Sequence, residues 1–516
     1  MEKLLYGAAY YDEYMPCDRL GKDVEMWKKA GMNVVRIAES TWSTCEPQEG
    51  VFDFSHVTHN LDFEWRGYSY GVQPEVDQKE VAKHLTIAGC DIYHKTQDEL
   101  TGREIAFGGD LIRSLKQDNY LILETEAQGF PGWTPYPGQL RLQAFSHLAS
   151  GANGVEYWHW HSIHNSFETY WKGVLSHDFA ENAVYREACV IGHEFERLSP
   201  HLINLKKHNQ VAILVSNEAL TALKWFGIEA TAADNGEATY NDVVRRIYDV
   251  LYDHNIECDF LFTDVTAEEL SEYRLVITPA LYAASKELLL KLRDYASAGG
   301  VLVSTYKTAF SNEYVKVYHD VQPHMLTDVF GVHYHEFTFP KQVGLCGGLL
   351  EGDHSAIPAE ALCMEKSEIS DTAGACPQAE IFMELLECDT AEVLLNYAHA
   401  YWKDYAAVTR NHFGEGMGYY IGCGCNADTR WLILKEALRD AQIEIPQEQY
   451  PIIRRTGRND LGKQITYYLN YSGEACAFTY AGTDGTELIG GEKLTAGQTF
   501  TIGAWDLRIV EADVQV

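Results

Sequence analysis

The sequence predicts an α/β chain in three parts: a parallel strand–helix barrel, a doubly wound α/β domain and a small all-β sandwich. Three observations carry this reading. Short apolar runs alternate with amphipathic helical stretches over 1–205, and again over 206–446. The pattern switches to period two over 447–516. Within the first part, the chemically able side chains gather where strands end, which is where a (β/α) barrel builds its site.

The elements follow in order. Residues 4–10 read as a strand, 23–30 as a helix that Gly31 ends at C′, and 32–37 as a second strand. Residues 60–63, 89–93, 120–124 and 154–160 read as four more, with helices over 103–115 and 138–150. In the second part, strands are expected at 210–216, 258–262, 275–278 and 301–304, and helices at 240–254 and 285–298. This is a flavodoxin-like pattern without a phosphate loop or a G-x-S-x-G elbow. In the third part, Ile465–Leu469 and Thr499–Ile502 alternate around a Thr483-Asp484-Gly485 turn.

Composition closes several doors. The 516 residues carry 41 Lys+Arg against 75 Asp+Glu, a net charge of −34. Such a surface repels phosphate backbones and anionic lipid, so neither nucleic acid nor a membrane is expected as partner, and a neutral substrate fits better. The first residues lack a signal-peptide pattern and no apolar run reaches the roughly 20 residues of a bilayer span, so a cytoplasmic protein is expected. The twelve cysteines form no CxxC pair, and Cys423 and Cys425 read as buried thiols near a strand end. No dinucleotide or nucleotide-triphosphate loop follows any strand, and neither a cofactor nor a metal is expected.

Two constellations carry chemistry. The apolar run 120–124 ends in Glu124, followed by Glu126 and by Gly129-Phe130-Pro131-Gly132-Trp133. A carboxylate at a strand tip beside an indole suits attack on an anomeric carbon, and it equally fits a solvated loop. The second is Tyr157-Trp158-His159-Trp160-His161. On a strand, Trp158 and Trp160 share one face and the histidines the other. His159, His161 and His164 read as satisfied core groups ahead of metal ligands, while Glu156 and Glu168 suit sugar hydroxyls. Arg36, Glu39 and Trp42 form a third cluster past the second strand, where the arginine can hold a carboxylate ionised.

Several phrases then fall into one order: Tyr6-Gly7-Ala8-Ala9-Tyr10-Tyr11, Val34-Val35-Arg36-Ile37-Ala38-Glu39, Glu46-Pro47-Gln48-Glu49-Gly50-Val51-Phe52-Asp53-Phe54, Leu123-Glu124-Thr125-Glu126, Gly138-Gln139-Leu140-Arg141-Leu142, and the run from Tyr157 to Glu168. In this order and spacing the chain resembles the β-galactosidases of glycoside hydrolase family 42. The resemblance implies a (β/α)8 TIM barrel, a trimerisation domain and a C-terminal sandwich, hence a homotrimer. It implies a retaining enzyme that releases terminal β-D-galactose from lactose-like β-galactoside oligosaccharides. Glu124 becomes the nucleophile, flanked by Tyr93 and supported by Arg36. Trp133 and Trp158 line the sugar and Glu168 contacts its hydroxyls. Trp171 stands where some relatives carry a sugar-binding histidine.

A second departure is larger. The family's acid/base is the glutamate of an Asn-Glu pair on the fourth barrel strand. Here Asn217-Glu218 is read as ending the first strand of the second part and Asn312-Glu313 lies later in that part, so neither belongs to the barrel. The chain passes from Phe52–Val57 into Thr58–Phe63, which resembles the fifth strand. About two strand–helix units near 57–59 are therefore expected to be missing, with six strand segments where a barrel has eight. The family's Cys-rich zinc site has no counterpart. Two functions compete: an impaired β-galactosidase, and a non-catalytic galactoside-binding or scaffolding pseudoenzyme.

Overall fold

The computed structural model describes residues 1–11, 14–37, 48–51, 77–129, 132–165, 168–228, 239–351 and 377–514. They fall into two compact units, one holding 1–70, 79–208 and 447–516, the other 71–78 and 209–446.

The first unit is built on a parallel sheet of β1 (Leu5–Ala9), β2 (Val34–Arg36), β3 (Gly89–Asp91), β4 (Tyr120–Glu126) and β5 (Ala152–Trp158). Its order is β2-β1-β5-β4-β3. The first strand thus pairs with the last, as ring closure of a (β/α) barrel demands. β1 and β2 approach so closely that a Cβ on Gly7 would lie 2.0 Å from the Val34 carbonyl oxygen, so only glycine fits there. Helices α1 (Leu20–Lys29), α2 (Arg103–Lys116), α3 (Gln139–Ala149) and α4 (Ala183–Leu202) complete the units. α1 starts three residues before its expected position, with Arg19 reaching Asp23 at 3.0 Å, and Gly31 follows its C-cap at φ +70°. The expected strand at 60–63, the break at 57–59, and Glu39 and Trp42 lie outside the described residues.

The C-terminal strands belong to this same unit. A sheet of β17 (Ile452–Arg458), β18 (Gln464–Asn470), β20 (Gly485–Glu487), β21 (Lys493–Leu494) and β23 (Leu507–Ala512) is accompanied by the pair β19 (Cys476–Thr479) and β22 (Thr499–Ile502). Arg455 of β17 meets Asp110 of α2, which Arg113 also holds at 2.6 Å. Burial would raise the Asp110 carboxyl, but the two guanidinium groups overcome it and hold the pKa at about 2. Arg141 of α3 reaches Asp506 at 2.8 Å.

The second unit starts as expected. β6 (Val211–Leu214), β7 (Cys258–Leu261), β8 (Leu275–Thr278) and β9 (Val301–Thr305) pair in parallel. Asn217-Glu218 opens a helix capped by the Ser216 side chain, so it does not end the strand. The doubly wound reading then needs extension. β15 (Gly416–Ile421) continues the parallel set beside β9, and β10 (Val332–Thr338), β12 (Glu380–Cys388), β13 (Glu392–Ala398) and β14 (Ala406–Phe413) add an antiparallel region. β12 buries five residues in a row, which hides the period-two signal of a strand. Cys423 and Cys425 are buried free thiols at and just past a short strand, Cys423–Gly424.

Candidate active site

Glu124 stands near the C-terminal end of β4, 7% exposed. Arg36, from the end of β2, donates to its Oε1 and also reaches the Leu123 carbonyl at 3.4 Å. The Tyr93 hydroxyl, just past β3, donates to Oε2 at 2.7 Å. A buried carboxylate is costly unless its charge is compensated, and here a cation and a phenol take one oxygen each. The grip fixes the side chain in one orientation, as a nucleophile requires. Burial, and then the adjacent Glu124, push the Tyr93 phenol well above its ordinary range, so it remains a donor.

The strand does not stop at Glu124 as expected. It runs on to Glu126, which is buried and accepts the His94 backbone N–H at 3.1 and 3.3 Å. The His94 ring lies 3.1 Å from the same carboxyl. Burial raises the Glu126 pKa and lowers that of His94 to about 4, so both groups favour their neutral forms and the contact is not an ion pair. Glu126 is a satisfied interior group rather than a loop carboxylate.

β5, the strand paired with β4, supplies the adjoining wall. Tyr157 packs edge-on against Tyr6, and Tyr6 against Phe195 of α4, so odd positions face the helices. Alternation turns Glu156 and Trp158 to the other face. Trp158 packs with Ala9 and Tyr11, and Tyr14, Tyr93 and Trp171 border this cluster. Trp171 donates its indole N–H to the Trp158 carbonyl at 3.3 Å and meets Tyr93 edge-on at 5.4 Å. Burial lifts the Glu156 pKa to about 7, with Arg36 opposing and Glu124 adding to the rise.

Arg36, Tyr93, Glu124 and Trp158 are therefore brought together at the strand ends. Trp133 and Glu168 stand on the loops after β4 and β5. Trp133 is seated against Gly129, and the Glu168 carbonyl accepts the Trp171 N–H at 2.7 Å. The expected pairing of Trp158 with Trp160 on one face fails, because β5 ends at Trp158 and alternation lapses there. Trp160 instead packs against Trp27 and Tyr185. His159, His161 and His164 each spend a ring nitrogen on a main-chain carbonyl, at 3.2, 2.8 and 2.7 Å. Burial lowers His159 to about 3 and His161 to about 4. Tyr14 leaves only a faint signal in the sequence, an aromatic three residues past Tyr11, just beyond a strand end.

Comparison with known proteins gives the arrangement its relatives. A family model described as "Beta-galactosidase" matches residues 9–68 and 57–198, and one described as "Beta-galactosidase trimerisation domain" matches 209–444. The β-galactosidase LacZ of Heyndrickxia coagulans is 25% identical over 451 residues, covering 86% of this chain and 62% of the relative. BgaA of Clostridium cellulovorans is 25% identical over 440 residues, covering 83% and 61%. The chain thus spans about six-tenths of the length of these curated relatives. In fold it is similar to a β-galactosidase from Bacillus circulans sp. alkalophilus, with a TM-score of 0.81 at 17% identity, covering 99% of each chain. A β-galactosidase from Rahnella sp. R3 gives 0.79 at 18%, covering 100% of this chain and 99% of the other. With one model of the family matched on the barrel and the other on the second unit, in that order, the chain belongs to glycoside hydrolase family 42.

Proposed function

We propose that this chain is a retaining glycosidase for terminal β-D-galactosides of the lactose-like oligosaccharide kind, with Glu124 as nucleophile. The observation that carries the reading is the Glu124 carboxylate, gripped by Arg36 and Tyr93 at the strand ends beside Trp158. In the first step a Glu124 oxygen forms a bond to C1 of the galactosyl unit. The C1–O bond breaks, and the leaving group departs with the electron pair. Water then bonds to C1 as the C1–O bond to Glu124 breaks, which releases galactose and the free carboxylate and passes the water's proton to solvent. Trp133 and Trp158 line the sugar ring, and Glu168 accepts from its hydroxyls.

Turnover of unactivated substrates is impaired. Both Asn-Glu pairs lie in the second unit. The family model matches the barrel in two segments that overlap at 57–68, which supports a loss of sequence at that point. General acid help contributes about 10²–10⁴-fold, so its loss weighs most on poor leaving groups. The second unit makes the protein a homotrimer. The described cysteines are all free and no described helix is long and apolar enough to cross a membrane, which supports a cytoplasmic setting.

The test is treatment with a dinitrophenyl galactoside, whose leaving group needs little protonation. Mass spectrometry is expected to find a galactosyl adduct on Glu124 that vanishes in Glu124→Gln, with almost no lactose turnover. No adduct, or one that survives Glu124→Gln, overturns the assignment. Galactose binding without any adduct leaves the non-catalytic scaffold as the better account.

A further inference from the structure

Outside the barrel, in the antiparallel part of the second unit, β10 is the outermost strand of its sheet among the described residues; it pairs with β12, and Tyr334 forms an isolated bridge with Gln322. His333 lies directly across from Glu387 in the register. His335 follows two residues on, its ring 5.3 Å from that of His333. One ligand atom from each of His333, His335 and Glu387 lies within 4.8 Å of the others.

A second observation sets this cluster apart from side chains that are merely solvated. The His333 Nδ1 lies 3.0 Å from Asp389 Oδ2. An ionised carboxylate only accepts, so Nδ1 carries the proton and donates it. In the neutral ring with Nδ1 as donor, Nε2 is the nitrogen whose lone pair can take a ligand, and it sits 3.9 Å from Glu387 Oε2. A carboxylate on one ring nitrogen that fixes the tautomer and frees the other is the support metal-binding histidines use. An edge strand needs polar side chains to deter pairing with other chains, but that need is met without this orientation.

We propose that His333, His335 and Glu387 bind one divalent transition-metal ion of the zinc, cobalt and nickel class, with water completing the shell and Asp389 orienting His333. Two imidazoles and one carboxylate suit ions of this borderline softness. Bonds of about 2.0–2.2 Å bring the donor atoms to roughly 3.3 Å from one another. His335 and Glu387 are exposed, and closing that gap requires only a change of their side-chain rotamers. The ion staples β10 to β12, so it stabilises the edge of the sheet. The site is independent of the galactoside reading.

The full chain, reduced and stripped with chelator, is titrated with Co²⁺ and followed by absorption. One equivalent is expected to give visible ligand-field bands without the near-ultraviolet charge transfer that thiolate ligands add. His335→Ala abolishes the bands. Asp389→Asn weakens binding by about 10–100-fold. Zn²⁺ raises the melting temperature of the parent chain and not that of His335→Ala. No bands, thiolate bands only, or bands unchanged in both His333→Ala and His335→Ala overturn the proposal. Glycosylation of Glu124 by the dinitrophenyl galactoside is expected to be the same in His335→Ala as in the parent.

Discussion

Two buried carboxyls, Glu384 in the second unit and Glu156 in the barrel, are both pushed up to about 7 by burial, yet their surroundings differ. Around Glu384 the fold is complete. Oε1 accepts the Lys307 backbone N–H at 2.7 Å, Oε2 accepts the Tyr420 hydroxyl at 2.9 Å, and the Tyr397 hydroxyl donates to its carbonyl at 2.8 Å. Glu156 is 5% exposed, and its Oε2 has no partner among the described residues. A buried polar atom left without a partner costs about 1–3 kcal/mol, so it persists only where something other than stability retains it. Glu156 shares its face with Trp158, near Arg36 and Glu124. A raised pKa therefore does not mark a site by itself; of these two carboxyls, the one that shares a face with Trp158 is the one that keeps an oxygen unpartnered among the described residues.

The strongest way to sharpen this contrast is to remove the cation at the strand ends. Breaking one partner out of a buried pair costs about 3–5 kcal/mol, and that much lost at Glu124 corresponds to roughly 10²–10⁴-fold in rate. Arg36→Met is expected to slow formation of the galactosyl adduct by that factor, measured by time-resolved mass spectrometry. Glu384→Gln is expected to leave adduct formation unchanged while lowering the melting temperature, because the amide has one acceptor oxygen where the carboxylate has two, so the Lys307 N–H or the Tyr420 O–H loses its acceptor. Equal effects of the two variants on adduct formation would erase the distinction.

The next contrast is read in pH. An acid whose folded pKa is raised contributes stability that is fully present below its unfolded pKa and is lost as pH rises through the folded value. For Glu156 the window runs from 4.5 to about 7. Each unit is worth 1.36 kcal/mol, so roughly 3 kcal/mol disappears across it. Glu156→Gln keeps the neutral shape and removes the titration. It is expected to match the parent at pH 4 and to exceed it by up to about 3 kcal/mol at pH 8, measured by urea unfolding at the two pH values. A variant less stable at both would show that Glu156 is wired into the fold as Glu384 is.

How much of this was legible in the sequence follows from which interactions are local. Arg36, Tyr93, Glu124 and Trp158 were found because strand ends converge in a parallel barrel, and the strands show in short apolar runs. Glu126 read as a loop residue because its burial depends on the backbone N–H of His94, 32 residues away. Trp160 was misplaced because alternation predicts faces only while the strand lasts, and β5 ends two residues earlier. Trp133 and Glu168 remain tied to loops whose course no periodicity encodes. The antiparallel strands of the second unit escaped for the opposite reason: β12 is so buried that its pattern loses its period. The His333–Asp389 contact joins residues 56 apart across a strand pair, and no motif spacing announces it.

The smallest expected effect tests the finished half of the comparison. Tyr420→Phe deletes one of the donors to Glu384 and leaves the ring, which is buried against Phe330 at 5.0 Å. A single buried hydrogen bond contributes about 0.5–1.5 kcal/mol, so a loss near 1 kcal/mol is expected by urea unfolding at pH 8. The Tyr420 hydroxyl is one of the groups that draw the Glu384 pKa down against burial, so its removal moves that pKa further up. The protonated form then persists to higher pH. The penalty should therefore be larger at pH 8, where parent Glu384 is mostly ionised and uses the donor, than at pH 5, where it is neutral in both proteins. Adduct formation on Glu124 should not change. A pH-independent penalty would mean that the Tyr420 hydroxyl serves the fold equally whatever the charge on Glu384, and that the bond is not one the ionised carboxylate specifically uses.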